Sequence, residues 1–261
     1  MSIISHRLDL IISLVDTTNG RPVTENQVIF QKNDDAFYPV RRGESTYIIL
    51  DVGREDFDLV TKAKGFHPVK TKIRYEQLNE REPLVIVYLI PDGKTLVNTS
   101  ICEITGRIPK LSVIEAIGLS NPRCCINDYN ARRQEMTVFQ MEGSRYLEDV
   151  HYGILHAQED TYEHIEIEKN IDAKKMKLRF PLKEPFSVNA PICRVVFGNV
   201  DEGGNYRIAM RKRFPETPVI IRYKKGDSWY FIKGDFNEMT PEMLQKAKKF
   251  AEPADREVVK T

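Results

Sequence analysis

The chain has 261 residues, 41% hydrophobic and 30% charged, with 39 Lys and Arg against 38 Asp and Glu for a net charge of +1. That length holds one large domain or two ordinary ones, and the composition excludes a wholly disordered chain. The near-zero charge excludes a nucleic-acid binder that works through bulk positive charge.

The elements begin with an apolar run, Leu8 to Val15. Asp9 and Ser13 interrupt it and no small-residue cleavage site follows, so it reads as a strand, not an export signal, and synthesis in the cytoplasm is expected. No stretch approaches the ~18–20 apolar residues of a membrane span. Asp16-Thr17-Thr18-Asn19-Gly20 is a turn cluster. Strands are then predicted at Val28–Phe30, Phe37–Arg41, Thr46–Leu50, Phe57–Ala63, Val69–Tyr75 and Leu84–Ile90. Phe57, Leu59, Thr61 and Ala63 share one face, and Lys70, Lys72 and Arg74 make a basic outer face on the next strand. The continuous apolar run Leu84–Ile90 predicts a central strand. Seven short strands without a helix predict a β-sandwich over residues 1–92.

Val15-Asp16-Thr17-Thr18-Asn19-Gly20-Arg21-Pro22-Val23 resembles the opening turn of carboxypeptidase-regulatory-like, or transthyretin-like, sandwich domains. Ala63-Lys64-Gly65-Phe66 is similar to their "A-x-G-F/Y" turn, and Gly43 and Tyr47 stand at their "G-x-Y/F" step. The resemblance covers residues 8 to 90 and implies an Ig/transthyretin-like fold. It implies a spacer, attachment module or assembly surface, and no particular chemistry. The family's glycine-rich segment is altered here, with Asp51-Val52-Gly53 following Tyr47–Leu50.

Pro91-Asp92-Gly93 is a turn, and the domain junction is expected between Pro91 and Ser100. A second β-rich domain is predicted over residues 100–253. Its strands are Ile101–Ile108, Glu135–Glu142, His151–Ala157, Tyr162–Lys169, Met176–Phe180, Ile192–Phe197 (central) and Tyr206–Arg211. Ser112–Leu119 fits a short helix or a strand equally. Val219–Tyr223 and Ser228–Lys233 form the clearest hairpin. A closing helix is predicted with Thr240 as N-cap and Pro241 at its first position, with Met243, Leu244, Ala247 and Phe250 as its apolar stripe and Pro253 as its stop. Residues 254–261 read as a loose tail.

Few residues point to chemistry. His151, His156 and His164, with Glu159, Glu163 and Glu166, are the best metal candidates, because two or three histidines and a carboxylate suit zinc. Five positions separate His151 from His156, which puts them on opposite faces of a strand, and no H-E-x-x-H spacing occurs. Cys102, Cys124, Cys125 and Cys193 contain no C-x-x-C pair, and reduced thiols are expected. Ser144, between Gly143 and Arg145, lacks a nucleophile-elbow context. Gly203-Gly204 lies between strands, not before a helix, so phosphate-loop readings fail. Trp229, Tyr230 and Phe231 suit hairpin packing, or else a carbohydrate or partner surface. The basic run Arg211-Lys212-Arg213 reads as a solvated strand edge.

No cofactor is therefore expected. The expected role is a non-catalytic structural or adaptor protein in a homo- or hetero-oligomeric assembly with other subunits, without nucleic acid. Sandwiches of the resembled type recur on phage tails and contractile injection systems. The alternatives are a carbohydrate-binding module using Trp229 or Tyr230, and an enzyme with an unrecognised site after residue 100.

Overall fold

The computed structural model describes residues 7–24, 27–51, 53–92, 101–120, 122–140, 151–156, 161–172, 174–183, 186–211 and 218–250. Gly143, Ser144, Arg145, Glu159, Lys212, Arg213 and the predicted tail lie outside them. The protein is mostly β, with one short α-helix among the described residues. None of these residues forms a helix long and apolar enough to cross a membrane. The chain divides into two compact units, Met1–Ile101 with Ala209–Arg211, and Cys102–Ile208 with Lys212–Thr261.

The first unit contains β1 (Leu8–Asp16), β2 (Val28–Lys32), β3 (Asp35–Phe37), β4 (Val40–Arg41), β5 (Thr46–Leu50), β6 (Phe57–Ala63), β7 (Val69–Ile73) and β8 (Leu84–Leu89). Two four-stranded sheets, β4-β5-β1-β8 and β3-β2-β6-β7, share one core. Leu10, Ile12 and Leu14 enter it from β1, Tyr47 and Ile49 from β5, Leu59 from β6 and Ile73 from β7. The Phe30 and Tyr47 rings meet edge-on with centroids 4.8 Å apart. Burying each large side chain is worth about 1.5–3 kcal/mol. The turn after β1 is closed by its own side chains: Asp16 accepts from the Thr18 amide (2.8 Å), the Thr18 hydroxyl (2.7 Å) and Asn19 Nδ2 (2.7 Å).

Two expectations for this unit are corrected. Phe37–Arg41 is not one strand: β3 pairs with β2, β4 pairs with β5, and the chain changes sheets at Tyr38-Pro39, so the unit's described residues form eight strands rather than seven. Proline has no N–H to continue a ladder. Leu84–Ile90 is not central either. Among the described residues, strand β8 lies at a sheet edge, parallel to β1 alone, and Leu84 is 39% exposed.

The later elements are β9 (Ile101–Arg107), β10 (Leu111–Gly118), β11 (Cys124–Asn130), β12 (Glu135–Gln140), β13 (His151–His156), β14 (Thr161–Asn170), β15 (Lys175–Leu178), β16 (Pro191–Phe197), β17 (Asn199–Val200), β18 (Asn205–Arg211), β19 (Pro218–Lys225), β20 (Ser228–Asp235), α1 (Pro241–Gln245) and β21 (Lys248–Phe250), all of the second unit except Ile101 of β9 and Ala209–Arg211 of β18. One sheet runs β11-β12-β15-β14-β13-β16-β10-β19-β20-β21, and β11 also pairs with β16. That pairing closes a six-stranded barrel of β11, β12, β15, β14, β13 and β16. Its interior is filled by Ile126, Met136, Val138, Tyr152, Ile154, Ile165, Leu178 and Ile192, as a barrel this narrow requires. Beyond β16 the sheet continues as β10, β19, β20 and β21.

Residues 111–118, left open between helix and strand, are the strand β10. The predicted closing helix is shorter than its apolar stripe. It ends at Gln245, and Lys248–Phe250 instead pairs with β20, Trp229 facing Phe250. The backbone edge of the hairpin offers ladder hydrogen bonds, and an isolated helix of this length is marginal in water. The Thr240 hydroxyl does accept from the Met243 amide, at 3.4 Å. Thr240→Ala should cost about 0.5 kcal/mol, the low end for an N-cap, with faster amide exchange at Met243. Unchanged exchange there would mean the cap contributes nothing.

Candidate functional site

Two strands of the second unit carry a lone charge inside an apolar run: Glu115 in Leu111-Ser112-Val113-Ile114-Glu115-Ala116-Ile117 of β10, and Arg222 in Val219-Ile220-Ile221-Arg222-Tyr223 of β19. The register sets them directly opposite each other and places Phe197 of β16 on the other side of Glu115. Paired residues share a face, so all three point the same way, onto the outer wall of the barrel and its sheet extension.

Strands β13 and β14 supply the rest. His151 lies across from Glu166, and Gly153 across from His164. The two histidines are thus diagonal neighbours on the face that carries Glu115. Gly153 makes room for the neighbouring Tyr162 ring. A Cβ there would come within 2.6 Å of Tyr162 Cδ2 and 3.1 Å of Ile117 Cγ2. The Tyr162 ring lies in the space that this missing side chain leaves.

Glu115, 1% exposed, collects donors on both oxygens. Its Oε1 accepts from Arg222 Nε (2.9 Å) and the Tyr162 hydroxyl (3.2 Å), with Arg222 Nη2 at 2.7 Å. Its Oε2 is 3.3 Å from His164 Nδ1, and His164 Nε2 is 3.0 Å from His151 Nδ1. Arg222 also donates to the Tyr162 carbonyl (3.3 Å), and its guanidinium lies 4.2 Å from the centroid of Trp229. Phe197 packs against both imidazoles, with centroids 5.1 and 5.7 Å away.

Burial pushes the Glu115 carboxyl up, but the facing Arg222 and the bonds from His164 and Tyr162 outweigh it and hold the group at about 2. It is therefore an anion at neutral pH, which fixes the tautomers. His164 Nδ1 donates to the carboxylate, so in neutral His164 Nε2 is the acceptor and His151 Nδ1 the donor. Burial, reinforced by the neighbouring His164, lowers His151 to about 4. Burial likewise raises Tyr162 well above its ordinary value and pushes the Cys193 thiol of β16 up to about 12. Neither is poised as a nucleophile. A carboxylate–imidazole–imidazole chain can hold a proton or pass one along it.

Of the three metal-candidate histidines, the fold joins two. His156 lies on the barrel-interior face of β13, with Nε2 3.8 Å from Glu163 Oε2. Among the described residues no group of three or more His, Cys, Asp and Glu is placed to hold a metal. Trp229 and Tyr230 lie on opposite faces of β20 and form no common platform. Trp229 is beside Arg222, while Tyr230 stacks on Tyr223 at 5.3 Å. All four cysteines are free, and burial pushes Cys124 up to about 12.

Sequence reasoning singled out neither Glu115, Arg222 nor Tyr162. The signal was there: one anion and one cation, each inside a β-branched apolar run, where a charge is tolerated only when paired.

No family model matches the chain, and no curated protein does. Among solved structures, a chimeric titin Z1Z2-Z1Z2 tandem functionalized with a GRGDS peptide from fibronectin aligns over 88% of this chain and 97% of its own. The identity is 5% and the TM-score 0.16, a likeness too low to carry any argument.

Proposed function

We propose that this chain is a non-catalytic structural or adaptor subunit of a larger assembly, and that its first unit is an attachment module of the transthyretin-like, carboxypeptidase-regulatory-like type. The observation that carries the reading is the second face of the β4-β5-β1-β8 sheet. Val40 pairs with Ile48, Ile48 with Ile11, and Ile11 with Leu84, so one apolar row crosses all four strands on the side away from the core. Ile86 lies in the next row, opposite Ser13. Val40 is 49% exposed, Leu84 39%, and Ile11, Ile48 and Ile86 are half-buried. A sheet apolar on both faces is the pattern of one covered on both sides. A phage-tail-like particle or contractile injection system is the assembly class that the resemblance favours.

The test is the pair Val40→Lys and Leu84→Lys in the chain expressed in its own host. Stability of the purified protein should change by no more than about 0.5 kcal/mol per site. Recovery of the chain with other subunits in fast-sedimenting fractions should fall at least tenfold. A doubly substituted chain that still travels with those subunits would remove this face from the argument.

A further inference from the structure

We propose that His151, His164 and Glu115 form a proton-operated latch, which ties the β13–β14 hairpin to β10 and β19 while the two imidazoles hold no more than one added proton, and lets go when both are charged.

The geometry supplies the logic. With both rings neutral, the chain of bonds runs from His151 Nδ1–H to His164 Nε2, and from His164 Nδ1–H to Glu115. One added proton leaves this intact: His164 becomes the donor on both nitrogens, and His151 turns its Nδ1 lone pair towards it. The charged His164 then lies beside the Glu115 anion. A second proton has no acceptable place. Two N–H groups would face each other across 3.0 Å, with two positive rings 5.1 Å apart.

Of the described groups around it, Glu115 favours the second charge only in part, because burial and the neighbouring His164 oppose it more strongly. Glu115 is already committed to Arg222 and to the Tyr162 hydroxyl. Glu166, across from His151, is paired with Arg179 at 3.1 Å. From β16 come Phe197 and the Cys193 thiol, which is held protonated by burial. Burial first, and then the neighbouring His164, hold His151 at about 4. Because the folded value lies below the unfolded one of about 6.5, the unfolded chain takes up a proton that the folded chain refuses. Stability attributable to His151 is whole above about pH 6.5 and is lost as pH falls towards 4.

The experiment follows hydrogen exchange at each histidine Cε1 in the full chain from pH 8 to pH 4, together with urea unfolding. His151 should remain uncharged down to about pH 4–5. Its share of the folding equilibrium constant should fall about 20-fold between pH 7 and pH 5. His151→Asn keeps a donor towards His164 but takes no proton, so it should lose that part of the pH dependence. His156→Asn, on the other face of β13, should keep it. An ordinary titration of His151 near pH 6.5, or equal pH slopes in wild type and His151→Asn, would overturn the latch. If His151→Asn does not fold, the site-resolved titration of the wild-type chain decides alone.

Discussion

Arg222→Met should cost about 3–5 kcal/mol of folding free energy, more than any surface substitution in the protein. The loss comes less from the missing attraction than from what stays behind. Glu115 would keep its charge in a site 1% exposed, with only the Tyr162 hydroxyl and His164 to satisfy it. Removing both charges together is a different matter. Glu115→Met with Arg222→Met replaces a desolvated pair by apolar volume, and such exchanges are often neutral or stabilising. Urea denaturation of the two single variants and the double variant therefore closes a cycle in which the double variant loses far less than the sum of the singles. A cost below about 1 kcal/mol for Arg222→Met would mean that the pair is solvated and does not organise the site. Trp229, the only tryptophan, lies under the Arg222 guanidinium, so its emission reports loss of the contact directly. The same pair also sets an acid limit. Glu115 is held at about 2 against an ordinary 4.5, so its stabilisation is complete above about pH 4.5 and disappears as pH falls towards 2.

Gly153→Ala should destabilise the second unit by about 2–3 kcal/mol. The added methyl would meet the Tyr162 ring at 2.6 Å and the Ile117 side chain at 3.1 Å. Both neighbours are fixed, Tyr162 by its bond to Glu115 and Ile117 in the apolar cluster with Cys193, Val195 and Ile220. Relief requires the Tyr162 ring to move, and that movement takes a donor from Glu115. Tyr162→Leu in the same chain should recover part of the loss, because it vacates the space the methyl needs. A tolerated Gly153→Ala, with Trp229 emission and unfolding midpoint unchanged, would show that β13 and β14 do not carry the ring across as described.

Much of the fold was legible because period-two patterning is strong where one face is buried. The β19–β20 hairpin shows this best: Gly226, at φ +57°, sits between two alternating runs, and Lys225 pairs with Ser228 across a two-residue loop. Patterning failed where both faces or neither carried information. Strand β10 is apolar throughout except Ser112 and Glu115, so its period was ambiguous. Strand β8 looked central because it is apolar on both faces, and what makes it an edge is the sheet order, which no local pattern records. Phe250 lay at helical spacing from Met243 and Ala247, yet the open edge of β20 decided its conformation. Odd spacing alone separated His151 from His156. The meeting of His151 and His164 needed the β13–β14 register, which spacing does not reveal.

The most direct measurement of the central claim is sedimentation of the native protein in an extract of its own host, with electron microscopy of the fast fractions. The account predicts that the chain travels with large regular particles at a fixed position in each. A chain found only as a free species of about 30 kDa, with every particle fraction empty of it, would contradict the assembly role.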